Sequence, residues 1–467
     1  MDRSETKSNR KNKLLLPLLA VVLAWSAAGC SDKPAAAPPE RGKLKVAYYS
    51  QELFDAQYGD YFMVKFPQFE VEVIATEETM DLGKNPQKEM DNLLDEQKPD
   101  LIIITDFWEY QRLAATGKLY ELDSFIQQDK FDIENMLPAA IDYLRAKGGG
   151  KLYGLAPQFS STVLFYNKGL FDQYKVPYPT EGMTWDALFE LAGKFRGAKN
   201  GKDQIYGFHE PFMMSKFSMI QSMGWDMGLN VTDAKGRTVT IDTEAWQKVF
   251  SQITEAWKNG SMPVIGGKDN KGGRDKEDVD SGLFSQGRAA MTISGPWQID
   301  RLQQSGSKID WQIVRPPSPD GSSSWQQGFS LHPVFAIGAE TDQADKAWKV
   351  VRYFNSPEAA KVETKTSKEL ITRLGFVKTV DGRSMEPFYQ VKYDDTLGGG
   401  MEFNPKTPAR FNWEFDKQAD EQLELIMAGR TTVRQALQQL QKQGQQTLDA
   451  AWLAEPPEPE EGGGAAK

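Results

Sequence analysis

The run Asp100-Leu-Ile-Ile-Ile-Thr105 limits what this chain can become more than any other stretch. Consecutive large aliphatics with no polar alternation make a strand covered on both faces, the pattern of a central strand in a mostly parallel sheet. It stands in a series. Leu44 to Tyr49 and Phe69 to Ile74 read as strands, a helix is expected before Pro67, and Pro86 to Glu96 reads as helical. Such alternation gives a layered α/β fold. Ligands of these sheets sit outside the carboxyl ends of the strands. Function is therefore expected in the loops after Tyr49 and after Thr105, the second of which carries Asp106, Phe107, Trp108 and Glu109.

The same logic applies to Phe284-Ser-Gln-Gly-Arg-Ala-Ala-Met-Thr-Ile-Ser-Gly-Pro-Trp297. Its first residues can end a helix near Gly287, and Ala290 to Ile293 reads as a short buried strand. Gly295-Pro296 breaks that strand and leaves Trp297 at its carboxyl end. On local pattern a tryptophan ordinarily packs in a core; at a strand end it can instead be a ligand platform. The chain has 12 tryptophans. Trp185, Trp246, Trp257 and Trp348 lie within amphipathic helical patterns and are assigned to the core. Trp108, Trp225, Trp297, Trp325 and Trp413 follow strand ends or Gly/Ser-rich turns and are candidate ligand contacts.

At 467 residues the chain exceeds one ordinary core, so two lobes are expected. A formal charge of -10 offers no basic footprint for nucleic acid. Cys30 is the single cysteine, and His209 and His332 are the two histidines, which excludes a disulfide framework, a thiolate cluster and a multi-histidine metal site. No Gly-x-Ser-x-Gly elbow supports a hydrolase. Asp269, Asp275, Asp278 and Asp280 match no calcium-loop spacing and read as a solvated surface loop. No cofactor and no metal are expected.

The ends read differently. Arg3, Lys7, Arg10, Lys11 and Lys13 precede an apolar stretch from Leu14 to Ala24 that Pro17 interrupts, too short for an ordinary membrane span. Ser26-Ala-Ala-Gly-Cys30 then resembles a bacterial lipoprotein signal, which implies cleavage before Cys30 and acyl chains on its sulfur; an ordinary secretory signal with an incidental cysteine is the other reading. Two acyl chains anchor stably where one is marginal. Residues 30–42 form a Pro/Ala-rich spacer, and residues 455–467 an acidic Pro/Gly-rich tail expected to be disordered.

Several motifs, in order, carry a resemblance. Leu152-Tyr-Gly-Leu-Ala-Pro157, Leu164-Phe-Tyr-Asn-Lys168 and Met183-Thr-Trp-Asp-Ala-Leu188 are followed by His209-Glu-Pro-Phe-Met213 and the Phe284 to Trp297 stretch. Ala347-Trp-Lys-Val-Val-Arg-Tyr-Phe-Asn-Ser-Pro357, Pro408-Ala-Arg-Phe-Asn-Trp413 and Gly429-Arg-Thr-Thr-Val-Arg-Gln-Ala-Leu437 complete the series. Together they resemble the family 1 extracellular solute-binding proteins of ABC importers, commonly sugar receptors of the maltose type.

The resemblance implies an α/β fold of two lobes, the type II periplasmic-binding-protein fold, with a ligand cleft between lobes joined by crossing segments. The expected division is a signal peptide at 1–29, the spacer at 30–42, a first lobe at 43–157 and a second at 158–340. A return to the first lobe follows at 341–374, a second-lobe C-terminal part at 375–454, and the tail at 455–467. Crossings are expected near 155–160, 337–342 and 372–375. The expected ligand contacts are Asp106, Trp108, Gln158, Ser160, Glu210, Phe212, Trp225, Trp297, Trp325, Trp413 and Arg410.

The chemistry suits a pyranose, whose C–H face stacks on indole while its hydroxyls take planar or charged partners such as Asp106, Gln158, Glu210 and Arg410. The implied partners are a carbohydrate, the transmembrane subunits of an ABC permease, and the membrane through Cys30. The expected protein is a monomer, with no nucleic acid and no catalysis. It would face the cell exterior, or the periplasm in a two-membrane source. A peptide or other non-sugar ligand on the same fold is the alternative, and a surface glycosidase with paired carboxylates is the remote one.

Overall fold

Leu101–Ile104 is buried along its whole length at the centre of a five-stranded sheet, as its unbroken aliphatic run requires. The structure is a computed structural model that describes residues 41–80, 85–211, 213, 215–265, 282–321, 328–366, 369–376, 379–393, 404 and 406–454. The signal segment with Cys30, the spacer up to residue 40, the four loop aspartates between 269 and 280, Phe212, Trp325 and the 455–467 tail lie outside the described residues. No helix among the described residues is long and apolar enough to cross a membrane.

The first-lobe sheet runs Phe69–Ala75, Gly42–Tyr48, Leu101–Ile104, Val334–Ile337 and Gly154–Leu155. Its first three strands are parallel. Val334–Ile337 is antiparallel to both of its neighbours, because it enters from the second lobe rather than through a crossover helix. The second-lobe sheet runs Trp311–Val314, Val163–Asn167, Ala289–Ser294 and Tyr206–His209. There Ala289–Ser294 is parallel to Tyr206–His209 and antiparallel to Val163–Asn167. Thr184 opens the helix Trp185–Gly193 as expected, its hydroxyl accepting from the Ala187 N–H at 3.2 Å.

Between the two sheets lies a third, of three short strands: Ser330–Leu331, Gln158–Ser160 and Leu370–Ile371. These are the crossings. Gln158–Ser160 lies within the 155–160 stretch, and Leu370–Ile371 just precedes 372–375. The second lies at 330–331, ahead of the expected 337–342, because Val334–Ile337 already pairs with Leu101–Ile104 in the first-lobe sheet. The return to the first lobe thus precedes residue 341. The C-terminal part also divides. Phe411, Phe415, Leu423, Leu437 and Leu448, from the helices Ala409–Met427 and Val433–Ala454, join the second-lobe core. Met385, Phe388 and Val391 instead pack in the other cluster, with Tyr389 against Phe159 of the first crossing.

Trp185, Trp246, Trp257 and Trp348 are all buried, in agreement with their helical periodicity.

Candidate functional site

The carboxyl ends of Gly42–Tyr48 and Leu101–Ile104 open onto a cavity of about 630 Å³ that reaches the crossing strands. That volume suits a small-molecule ligand. After the first strand the chain makes a helical turn, Gln51–Phe54, and then a wide five-residue π turn, Asp55–Gly59. Such turns re-aim side chains and recur at functional sites. This one turns Ala56, Gln57 and Tyr58 into the cavity wall. Tyr58 is held edge-on between Tyr48, Phe335 and Phe354, with ring centroids 5.5, 5.7 and 5.6 Å away. Burial, with Tyr48 beside it, raises the Tyr58 phenol far above its ordinary range, so it stays a neutral donor.

Polar groups line the same wall. The Tyr48 hydroxyl donates to Gln57 Oε1 at 2.6 Å. Glu363, on the helix Pro357–Thr366, accepts from the Tyr61 hydroxyl and, at 3.0 Å, from Gln158 Nε2 on the first crossing. One carboxylate therefore ties the first lobe to a hinge strand at the cavity. Thr105, His332 and Glu369 complete the polar lining. Aromatic rings with amides and carboxylates form a surface for a polyhydroxylated ligand. The carboxylates oppose an anion.

Of the residues expected from sequence, Gln158 lines this cavity. Asp106 follows Thr105 and caps the helix Phe107–Ala115, its Oδ1 accepting from the Trp108 N–H at 3.0 Å. It is exposed, as is Trp108. Ser160 is half-buried and pairs with Ser330 in the crossing sheet. Sequence reasoning missed Tyr48, Gln57, Tyr58, Tyr61, His332, Glu363 and Glu369. The loop after Tyr49 was the available signal. Nothing local marked Glu363, which reaches Tyr61 across 302 residues of sequence.

Of the remaining expected contacts, Glu210, Trp225, Trp297, Arg410 and Trp413 are not among the residues that line this cavity. Thr292 stands opposite His209 in the parallel register, so Glu210 and the Gly295-Pro296-Trp297 segment leave adjacent strand ends. Trp297 begins the helix Trp297–Gln304 and is 40% exposed, so the ordinary core role does not apply. Its indole lies over Gly295, where an added Cβ would overlap the ring. One face thus rests on backbone. Trp413 is 74% exposed on the helix Ala409–Met427, and Arg410 pairs with Glu414 at 2.7 Å on the same helix. Trp225 is half-buried near the end of the helix Lys216–Asp226.

Asp226, next to Trp225 in the chain, acts electrostatically on Glu210. Burial, reinforced by Asp226, raises the Glu210 carboxyl well above the usual range, and burial pushes Asp226 up to about 8. Unfolded, both ionise near pH 4. The folded chain then carries more protons between about pH 4 and 8, and this pair's contribution to stability declines as pH rises through that window. The melting temperature of Asp226→Asn, followed from pH 5 to 8.5, is expected to fall less steeply than that of the parent. Parallel profiles would remove the pair from the pH response.

The profile of a bacterial extracellular solute-binding protein family matches residues 78–382. A maltotriose-binding protein of Pyrococcus abyssi is 24% identical over 305 residues, 65% of this chain and 59% of the relative. A galactooligosaccharide-binding protein of Bacillus subtilis is 25% identical over 301 residues, 62% of this chain and 64% of the relative. The chain thus spans about three fifths of the length of these relatives. The sugar-binding protein MalE of Xanthomonas citri shares the fold at a TM-score of 0.59 and 16% identity, covering 89% of this chain and 100% of that one.

Proposed function

The chain belongs to the bacterial extracellular solute-binding protein family, and from that premise we propose that it captures an oligosaccharide between its lobes and hands it to the permease of an ABC importer. The cavity carries this reading: tyrosines, amides and a carboxylate converge where two strand ends meet the hinge strands. A ligand touching both the Tyr58 wall and the Trp297 side favours the closed arrangement, since it gains contacts there that the open one lacks. The closed, loaded protein then presents both lobes to the permease. The protein binds and releases its ligand without chemistry on it, works as a monomer, and stays at the cell surface through acyl chains on Cys30.

The test is intrinsic tryptophan fluorescence during titration with a panel of oligosaccharides and peptides. Oligosaccharides are expected to perturb the emission saturably at micromolar concentration, an affinity that needs about 8 kcal/mol. Two stacked rings and a few charged hydrogen bonds supply that. A response to peptides with none to any sugar would overturn the carbohydrate reading.

A further inference from the structure

The acid at the cavity wall is held by neutral partners. Glu363 is half-buried, and its carboxylate accepts from the Tyr61 hydroxyl and, at 3.0 Å, from Gln158 Nε2. A phenol and an amide supply hydrogen bonds but no positive charge. Glu369 lines the same cavity. Among the described lining residues, His332 is the side chain able to take up a positive charge, and there is no lysine or arginine. A ligand reaches this wall from solvent: Gln57 and Thr105 are exposed, and Gln158 is half-buried.

An ionised carboxylate accepts hydrogen bonds and cannot donate them. Gln158 therefore turns its amide N–H toward Glu363, which leaves its Oε1 facing elsewhere as an acceptor. Tyr61 gives its single hydroxyl proton to Glu363, so toward a ligand its oxygen is an acceptor as well. Across the wall the polarity reverses: the Tyr48 hydroxyl donates to Gln57 Oε1 at 2.6 Å, and Gln57 presents N–H donors. We propose that Glu363 is the specificity-determining residue of this cavity. It sets its side of the wall to accept, and so selects an uncharged sugar whose free hydroxyls donate while turning away acidic sugars and phosphates. The inference rests on the carbohydrate reading above and narrows it. A hydroxyl donates and accepts at once, so neighbouring hydroxyls of one ring satisfy Gln158 and Gln57 together. A sugar carboxylate offers acceptors to a wall of acceptors, and both it and a phosphate meet Glu363 as a like charge.

The experiment is calorimetric titration of the full chain at pH 7. The probes are maltotriose, cellotriose and galactotriose, each beside its counterpart oxidised at the primary hydroxyls to the uronate, with sn-glycerol 3-phosphate as a non-sugar anion. A neutral trisaccharide is expected to bind at least tenfold tighter than its uronate, and sn-glycerol 3-phosphate to bind more weakly than any neutral sugar that binds. Glu363→Gln keeps the shape of the side chain and removes its charge, and is expected to bring the neutral-to-uronate ratio below about threefold. Exchanging the pair, Glu363→Gln with Gln158→Glu, returns one carboxylate and one amide to the same wall and is expected to restore the ratio. Each ratio is taken within one protein whose melting curve shows it folded. A Glu363 that merely braced the hinge strand would leave it unchanged.

Uronates binding as tightly as the neutral sugars in the parent protein overturn this inference and leave the carbohydrate reading standing. So does a ratio that Glu363→Gln leaves intact. If Glu363→Gln does not fold, the exchanged pair decides, and a ratio below about threefold there overturns the inference. Binding of sn-glycerol 3-phosphate with no sugar bound, or of no probe at all, overturns both.

Discussion

Trp297→Ala is expected to weaken oligosaccharide binding at least tenfold, more than ~1.4 kcal/mol, while moving the melting temperature of the free protein by no more than a few degrees. The indole is 40% exposed and stands at the start of a helix, so its removal opens no closed cavity in the core. A pyranose stacked on it would hide roughly 100 Å² of apolar surface, worth roughly 2–3 kcal/mol at ~25 cal/mol/Å². Gly295→Ala checks the geometry from beneath. Gly295 is not held at positive φ, so alanine is tolerated by the backbone, yet its Cβ would collide with the ring and displace it. It should reproduce much of the loss with tryptophan still present. Unfolding by Trp297→Ala, with binding per folded molecule unchanged, would make the residue part of the core.

How much of this could be read in advance depends on how far apart the cooperating residues are. Thr184 as a cap, Leu101–Ile104 as a central strand and Trp297 at a strand's end follow from neighbouring residues, because caps, buried runs and strand breaks are local chemistry. The placement of Val334–Ile337 does not. Its sequence says strand, but its antiparallel seat beside Leu101–Ile104 depends on the chain having returned through 330–331. The cavity is less legible still. Tyr58 faces it because a π turn adds a residue to the helical register, and Glu363 does so because a distant helix docks against Tyr61 and Gln158. Asp106 shows the converse limit: a carboxylate after a strand can serve as a ligand contact or as a helix cap, and the structure shows the cap.

Trp246→Ala is expected to do the opposite of Trp297→Ala. Trp246 is 1% exposed, packs edge-on to Phe250 at 6.4 Å, and donates its indole N–H to the Asn230 carbonyl at 3.4 Å. Its ring fills the space over Gly224, where any Cβ would overlap it, so the residues are matched across two helices. Truncating so large a buried side chain costs about 3–5 kcal/mol in lost burial and residual cavity. For a lobe of this size that lowers the melting temperature by roughly 10 °C. Ligand binding stabilises by an amount set by its concentration relative to Kd, about 2.7 kcal/mol at a hundredfold excess. Scanning calorimetry with and without ligand therefore separates the two tryptophans. Trp297→Ala keeps the melting temperature and loses the ligand-induced rise. Trp246→Ala loses the melting temperature and keeps most of the rise, because the residue is buried in the second-lobe core and does not line the cavity. If Trp246→Ala lowers melting by less than about 3 °C, the second-lobe core does not depend on the fit of its ring over Gly224.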